Sequence, residues 1–244
     1  MMEQMLALVT GGARSIGRAC CEALLKDGYR VVFFDVDDVS AAEFLRVFAG
    51  GRLYYRHCDV SSFTAVEEHC RAVREQFGTV TVLVNNAGIQ THCRFDALTE
   101  ELWDETLAIN LKSAFCTCKC LVPGMVAQGY GRIVNIASMS ARRGSRRHVH
   151  YCASKAGLLG FTRALSQEIA ENGVTVNAVC PGIVESDMIR ETLQEKREIW
   201  LKEMHVKRLG TPADIARAVS FLADRASGWI TGQAFEINGG ILTP

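Results

Sequence analysis

The chain has 244 residues, its 27 lysines and arginines balance its 27 aspartates and glutamates, and 48% of it is hydrophobic. Such a composition permits a large apolar core, and a net charge of zero lacks the basic excess that marks nucleic-acid binders. Neither the opening residues 1–9 nor any later apolar run has the length of a secretion signal or of the roughly 20-residue span of a membrane helix, which predicts a soluble cytoplasmic protein. Ten cysteines occur without a C-x-x-C pair or a metal-like Cys/His spacing, so they read as reduced thiols, and no metal is expected.

In chain order, Leu6-Ala7-Leu8-Val9 reads as a buried strand over 5–10 that runs into Thr10-Gly11-Gly12-Ala13-Arg14-Ser15-Ile16-Gly17, followed by a helical pattern from Ala19 to Lys26. Glycines in such a turn let the backbone approach a pyrophosphate. The free N–H groups of the helix start then face its negative charge. A second strand, 30–35, ends in Asp35, 18 residues beyond Gly17, near the spacing of a carboxylate that accepts hydrogen bonds from a ribose diol and repels a 2′-phosphate. That favours NAD over NADP. Asp37 and Asp38 add negative potential or form a solvated turn.

Further strands are expected at 53–57, 80–85, 131–138, 174–180 and 233–237, with helical patterns between most of them. In one of those patterns Cys116, Cys118 and Cys120 read as core filling. Alternation of strand and helix implies an α/β fold with a doubly wound parallel sheet of about seven strands, Rossmann-like, with helices on both faces and the ligand crevice at the carboxyl ends of the strands. The whole of 1–244 is expected to form a single NAD(P)-binding domain. A substrate lid is expected around 185–208, where Met188, Ile189, Leu193, Trp200, Leu201 and Met204 suggest an amphipathic helix. Lys196, Arg197 and Lys202 on it read as solvent-facing.

Tyr151 and Lys155 stand four residues apart, which on a helix gives the phenol and the ammonium one face. A free phenol titrates near about 10, and an adjacent cation brings it toward the working range. Ser138, thirteen residues upstream, ends an apolar run that delivers its hydroxyl to the same place. Hydroxyl, phenol and ammonium together point to an oxidoreductase.

Thr10 to Gly17, Asp59-Val60, Asn85-Asn86-Ala87-Gly88, Asn110, Ser138, Tyr151 with Lys155, Pro181-Gly182 and Asn238-Gly239-Gly240 occur in an order and spacing that resembles the short-chain dehydrogenase/reductase family over essentially the whole chain. The resemblance implies hydride transfer between NAD(P)(H) and a secondary alcohol or ketone. Tyr151 would act as general acid or base, Ser138 would bond the reacting oxygen, and Lys155 would bind the nicotinamide ribose while lowering the Tyr151 pKa. Asn110 would hold a proton-relaying water. Cofactor contacts would come from Gly11, Arg14, Ser15, Ile16, Gly17, Asp35, Asp59, Val60, Asn86, Ala87, Gly88, Tyr151, Lys155 and Pro181, with Gly182, Ile183 and Ser186 orienting the nicotinamide.

Two departures stand out: Ser15 replaces the second glycine of the phosphate turn, and Ser186 replaces a threonine. Arg14 occupies a position where NADP-using relatives carry a basic residue, although it can instead pair with Asp35 or stack on adenine. Relatives assemble through the helices corresponding to 99–128 and 151–172, so a homotetramer or homodimer is expected.

Between Ser138 and Tyr151 lies a basic loop containing Arg142, Arg143, Arg146, Arg147 and His148, in a segment that borders the substrate pocket of relatives. It reads either as an anion-capturing element, with Arg143, Arg146, Arg147 and His148 touching a small hydroxy or keto substrate of anionic or polyol type, or as a solvated surface or subunit contact. Three other readings are compatible with the resemblance. A 3-oxoacyl-carrier-protein reductase would use basic residues such as Arg132 for its acidic carrier, although Asn172 stands where many such enzymes have arginine. A non-catalytic nucleotide-binding regulator would have a broken active site, and a redox-neutral epimerase or dehydratase would have a larger C-terminal region.

Overall fold

The computed structural model describes residues 5–48, 50–186 and 189–243; residues 1–4 and Met188 lie outside that set. Seven strands, β1 (Leu6–Thr10), β2 (Arg30–Asp35), β3 (Leu53–His57), β4 (Val80–Asn85), β5 (Gly131–Ile136), β6 (Val174–Pro181) and β7 (Ala234–Ile237), form one sheet. Their order is β3-β2-β1-β4-β5-β6-β7, and every pairing is parallel. The chain winds outward one way from β1 through β2 to β3. It then crosses to β4 and winds the other way, which leaves a crevice above β1 and β4 where the winding reverses.

Apolar runs make the central strands because both faces of the sheet are covered. All five residues of β1 are buried, whereas β7 at the edge is half-buried throughout. Side chains alternate across the sheet. Ala7, Val9, Val31 and Phe33 meet α1 (Ser15–Lys26), α2 (Asp38–Val47) and α9 (Pro212–Ala223) through Leu24, Phe44, Ile215 and Val219. Leu6, Leu8, Val32 and Phe34 meet α3 (Phe63–Phe77) and α5 (Ser113–Ala127) through Val66, Val73, Leu121 and Met125. Truncating a buried leucine, isoleucine, methionine or phenylalanine among these to alanine costs about 2–5 kcal/mol.

The helical region expected over 99–128 is not one helix. After α4 (Glu100–Leu107), capped by the Thr99 side chain at the Leu102 amide, the chain makes a π turn at Ala108–Lys112 before α5 begins. Such turns occur where one extra residue must be accommodated to aim a side chain, and here Asn110 is the buried residue of the turn. The strand expected over 131–138 ends at Ile136. The Ser138 hydroxyl accepts the Ser140 amide at 3.1 Å, turning the chain into the short α6 (Ser140–Arg143). After α7 (Val149–Ile169), β6 leads toward α8 (Arg190–Glu203). There Leu193, Trp200, Leu201 and Met204 join Ile183, Leu209 and Met139 in a small apolar cluster of their own. No helix among the described residues is long and apolar enough to cross a membrane.

Candidate active site

A cleft of about 870 Å³ opens over the carboxyl ends of β1, β4 and β5. Every residue expected at the cofactor lines it, from Gly11 and Arg14 through Asp35 and Asp59 to Pro181, Gly182, Ile183 and Ser186.

One end of the cleft is built mostly from backbone. Gly11 has φ +65°, a conformation that side chains resist. Gly17 packs so tightly on the Gly11 carbonyl and the Asn86 amide that no Cβ fits. Asn86 locks the turn by donating from Nδ2 to the carbonyls of Thr10 and Gly11, at 3.0 and 2.9 Å, and its own amide donates to Thr10 Oγ1 at 3.0 Å. Ser15 has φ +48°, so a residue with a Cβ holds the left-handed conformation usually left to glycine.

Asp35 ends β2 facing this space. Its Oδ2 accepts the Ala13 amide at 2.9 Å, and its Oδ1 accepts the amides of Val36 and Asp37 at 2.8 and 3.1 Å. Arg14 pairs with Asp37, Nε to Oδ2 at 3.2 Å, and not with Asp35. Asp38 is not simply a solvated turn residue: its Oδ1 accepts the Tyr55 hydroxyl at 2.6 Å and lies 3.0 Å from His57 Nδ1. Beyond β3, Val60 is buried and the Asp59 carboxylate accepts the Ser61 amide at 2.9 Å. The glycine cradle, the helix start and the Asp35 carboxylate at the cleft fit the pyrophosphate and adenosine ribose of a dinucleotide.

At the other end Ser138, Tyr151 and Lys155 are all buried, and all line the cleft. Lys155 Nζ donates to the Ile136 carbonyl at 2.8 Å and lies 5.9 Å from the Tyr151 ring centre. Burial, not the lysine, dominates the phenol in this state and pushes its pKa up, while hydrogen bonding with Ser138 acts the other way. Burial likewise lowers the Lys155 pKa to about 8. Lys155, expected from the resemblance to lower the Tyr151 pKa, is not among the causes of the phenol's shift.

Asn110 stands behind this wall. Its side chain accepts the Ile89 amide at 2.8 Å and donates to the Ile89 carbonyl at 2.9 Å and to Ser154 Oγ at 3.1 Å. A Cβ on Gly88 would come within 3.2 Å of Asn110 Oδ1 and 3.3 Å of Lys155 Nζ, so glycine there lets the two groups approach. Behind Asn110 runs a buried polar chain. Thr117 donates to Asn85 at 2.6 Å, Asn85 to Asn135 at 2.8 Å, and Asn135 to Thr162 at 2.8 Å. It ties β4 and β5 to α5 and α7. Polar residues inside two apolar strands were the available signal for it.

The wall beside Tyr151 combines His148, expected there, with Gln90 and His92, which motif reading missed. His148 is buried and held from two sides, with Nε2 3.1 Å from Gln90 Nε2 and Nδ1 2.9 Å from Ser145 Oγ. Its ring lies 4.2 Å from that of His92 and 6.3 Å from that of Tyr151. Burial, with the neighbouring His92, lowers its pKa to about 4 and keeps it neutral. These contacts, with the Cys93 amide donating to the Arg147 carbonyl at 2.8 Å, seam the loop after β4 to the segment before α7.

The arginines of the basic loop go elsewhere. Arg143 pairs with Glu203 at 3.1 Å and Arg142 with Glu236 at 3.1 Å, while Arg146 and Arg147 are exposed, and none of the four lines the cleft. Of the loop residues expected at the substrate, His148 is there and Arg143, Arg146 and Arg147 are not. The reason is the turn of α6, whose Gly144 cap directs the loop outward. Lys196, expected to face solvent, is exposed and also lines the cleft from α8. Arg132, considered as a carrier-binding cation, is buried at the opposite end of β5, where it donates to the carbonyls of Gly131, Gly173, Asp224 and Arg225.

A doubly wound parallel sheet with this cleft at its switch point defines an NAD(P)-dependent oxidoreductase acting on CH–OH or keto groups. The model of a family described as enoyl-(acyl carrier protein) reductase matches residues 11–242. The chain belongs to the short-chain dehydrogenase/reductase family. It is 41% identical over 236 residues to an acetoacetyl-CoA reductase of Rhizobium meliloti, covering 96% of this chain and 97% of the relative. It is 35% identical over 239 residues to the 3-oxoacyl-acyl-carrier-protein reductase of Escherichia coli, covering 98% of each. The solved structure of a candidate gluconate dehydrogenase from Agrobacterium tumefaciens superposes with a TM-score of 0.95 at 32% identity, covering 98% of this chain and 96% of that one.

Proposed function

We propose that this enzyme interconverts a secondary alcohol and a ketone on a small, polar hydroxy compound, of the hydroxy-acid or polyol class, with NAD(H) as the preferred cofactor. The observation that carries the substrate class is the hydrogen-bonding wall of Gln90, Ser145 and His148 beside Tyr151. A neutral imidazole fixed between an amide and a hydroxyl suits the several oxygens of such a compound better than an acyl chain. Bound nicotinamide supplies or accepts the hydride.

The residues of this chain do the rest. Ser138 bonds the reacting oxygen and Tyr151 transfers its proton. Lys155 holds the nicotinamide ribose. Asn110 positions the loop at Ile89 and, through it, the wall where a relay water is held. Residues 185–208 act as the lid, since α8 rests on a cluster separate from the main core. NAD is favoured because Asp35 faces the diol, and because Asp37 already holds Arg14, the cation that a 2′-phosphate would need. The ten free thiols suit a reducing, cytoplasmic setting, and the subunits assemble as a homotetramer or homodimer.

A second reading, reduction of a 3-oxoacyl thioester, is favoured by the nearly full-length similarity to an acetoacetyl-CoA reductase. Steady-state assays of polyols, hydroxy acids and acetoacetyl thioesters with both cofactors separate the two. Higher kcat/KM for a hydroxy acid or polyol with NAD supports the first reading; higher values for the thioester overturn it. In either case Tyr151→Phe should cost at least about 10² in kcat, the contribution of a positioned acid or base, while cofactor affinity by fluorescence titration stays within a factor of about three. A variant that keeps a tenth of the wild-type rate would move the proton transfer to another group.

A further inference from the structure

Among the described residues, the cations near the reacting end of the cleft differ in whether anything engages them. Lys155 is buried and donates to the Ile136 carbonyl at 2.8 Å. Arg142 and Arg143 are paired with Glu236 and Glu203, and Arg146 and Arg147 lie off the cleft. Lys196, in contrast, lines the cleft together with Trp200, one turn further along α8 and so on the same face. Among the described residues, no carboxylate is within ion-pair distance of it. Its charge reaches His148, where it adds to the burial that keeps the imidazole neutral. Lys196 and the Gln90–His148–Ser145 wall therefore face one space beside Tyr151.

A lysine is a compact point charge, and the wall around it offers neutral hydrogen-bonding groups. The acid lining this end, Glu105 on α4, is exposed and carries the opposite charge. One lysine balances one carboxylate; a phosphate dianion would leave charge uncompensated, the more so with Glu105 lining the same cleft.

We propose that the substrate carries a carboxylate, that Lys196 on α8 recognises it, and that the Ser145 hydroxyl and the Gln90 amide, both held by His148, donate its remaining hydrogen bonds. This rests on the polar-substrate reading and narrows it to hydroxy acids. It also moves the anion site from the arginine loop to the lid, so that charge on the substrate draws α8 over the cleft. Lys196 is a specificity-determining residue here and takes no part in proton transfer.

The test is a binding measurement, so it does not depend on turnover. Lactate, 3-hydroxybutyrate and gluconate, and the primary amide of each, are titrated calorimetrically into the NADH-saturated wild-type enzyme, where an alcohol finds no hydride acceptor, and into NADH-saturated Lys196→Gln and Lys196→Arg. Wild type should bind at least one acid about tenfold more tightly than its amide. Lys196→Gln should reduce that preference below about threefold through loss of acid affinity alone, with amide affinity unchanged, and Lys196→Arg should restore it. The double variant Arg146→Ala/Arg147→Ala should keep the wild-type preference. A wild type that binds acids and amides equally, or a Lys196→Gln enzyme that keeps the preference, overturns the proposal. Turnover is then scored separately: oxidation of no hydroxy acid alongside fast reduction of acetoacetyl thioesters removes the polar-substrate reading, whatever the binding result for Lys196.

Discussion

The two halves of the cleft are built from different materials. At the cofactor end the walls are turns and strand ends pinned by backbone contacts: glycines at Gly11 and Gly17, the Asn86 side chain on two carbonyls, and Asp35 receiving three amides. At the substrate end the walls are side chains from three separate segments, the loop after β4, the stretch before α7, and α8, joined by histidine contacts and by a small cluster apart from the main core. Backbone geometry serves a ligand common to many enzymes, because every dinucleotide has the same pyrophosphate. Side chains on loops can change without disturbing the sheet, which is where substrate choice is expected to reside.

If that contrast is right, the largest single-residue effect on cofactor choice should come from the one side chain at the cofactor end that reads identity. Asp35→Ala should weaken NAD binding about tenfold and shrink the NAD-over-NADP ratio of kcat/KM by a larger factor, since both a diol acceptor and a phosphate-repelling charge are lost. The variant also leaves three amides without their acceptor, so its stability should be measured alongside by denaturant titration. A ratio of kcat/KM that does not move would mean that Arg14, released from Asp37, already governs the choice.

The same contrast explains what could be read from the sequence. The sheet, its seven strands and the positions lining the cofactor end are legible because each depends on local features: an apolar run, a glycine turn, a residue at a strand's carboxyl end. The convergence of Ser138, Tyr151 and Lys155 on the cleft was legible for the same reason, since Ser138 follows a strand and Tyr151 and Lys155 share a helix face. Partner choice between distant segments was not legible. That Glu203 and Glu236 would take Arg143 and Arg142, that Asp37 would take Arg14, and that the exposed Lys196 would stand along the cleft all depend on elements brought together only by folding. The π turn at Asn110 was likewise hidden, because a helical pattern with one extra residue looks in sequence like an unbroken helix.

The histidine seam gives the substrate end a pH dependence of its own. His148 has its pKa lowered from 6.5 to about 4 by burial and by His92, whereas in the unfolded chain it protonates near 6.5. Between those values the unfolded state binds the extra proton. The stabilisation is therefore complete above about pH 6.5 and is lost as pH falls through 4. Urea denaturation should show stability falling by on the order of 1 kcal/mol more between pH 6.5 and 5 in wild type than in His148→Gln, which keeps a hydrogen-bonding side chain and does not titrate. Parallel pH profiles would show that His148 is solvated enough to protonate in place.

The smallest effect sought is at the cofactor end, and it tests whether that end is backbone-built throughout. Ser15 holds φ +48° at the start of α1, a conformation that costs a residue with a Cβ about 1–2 kcal/mol. Ser15→Gly removes that strain but gives the unfolded chain more freedom, which returns about 0.5–1 kcal/mol to the unfolded state. The net gain should be about 0.5–1 kcal/mol, seen as a rise of about 2 °C in melting temperature for a chain of this size. Ser15→Ala keeps the Cβ and its strain and loses only the hydroxyl, so it separates the two roles of the serine. If the hydroxyl bonds a cofactor phosphate, Ser15→Ala should lose affinity for NAD without gaining stability, and Ser15→Gly should gain stability while losing the same affinity. If only the backbone matters, the alanine variant should match wild type in both measurements. A glycine variant no more stable than wild type would mean that contacts made by the serine side chain compensate its strained backbone.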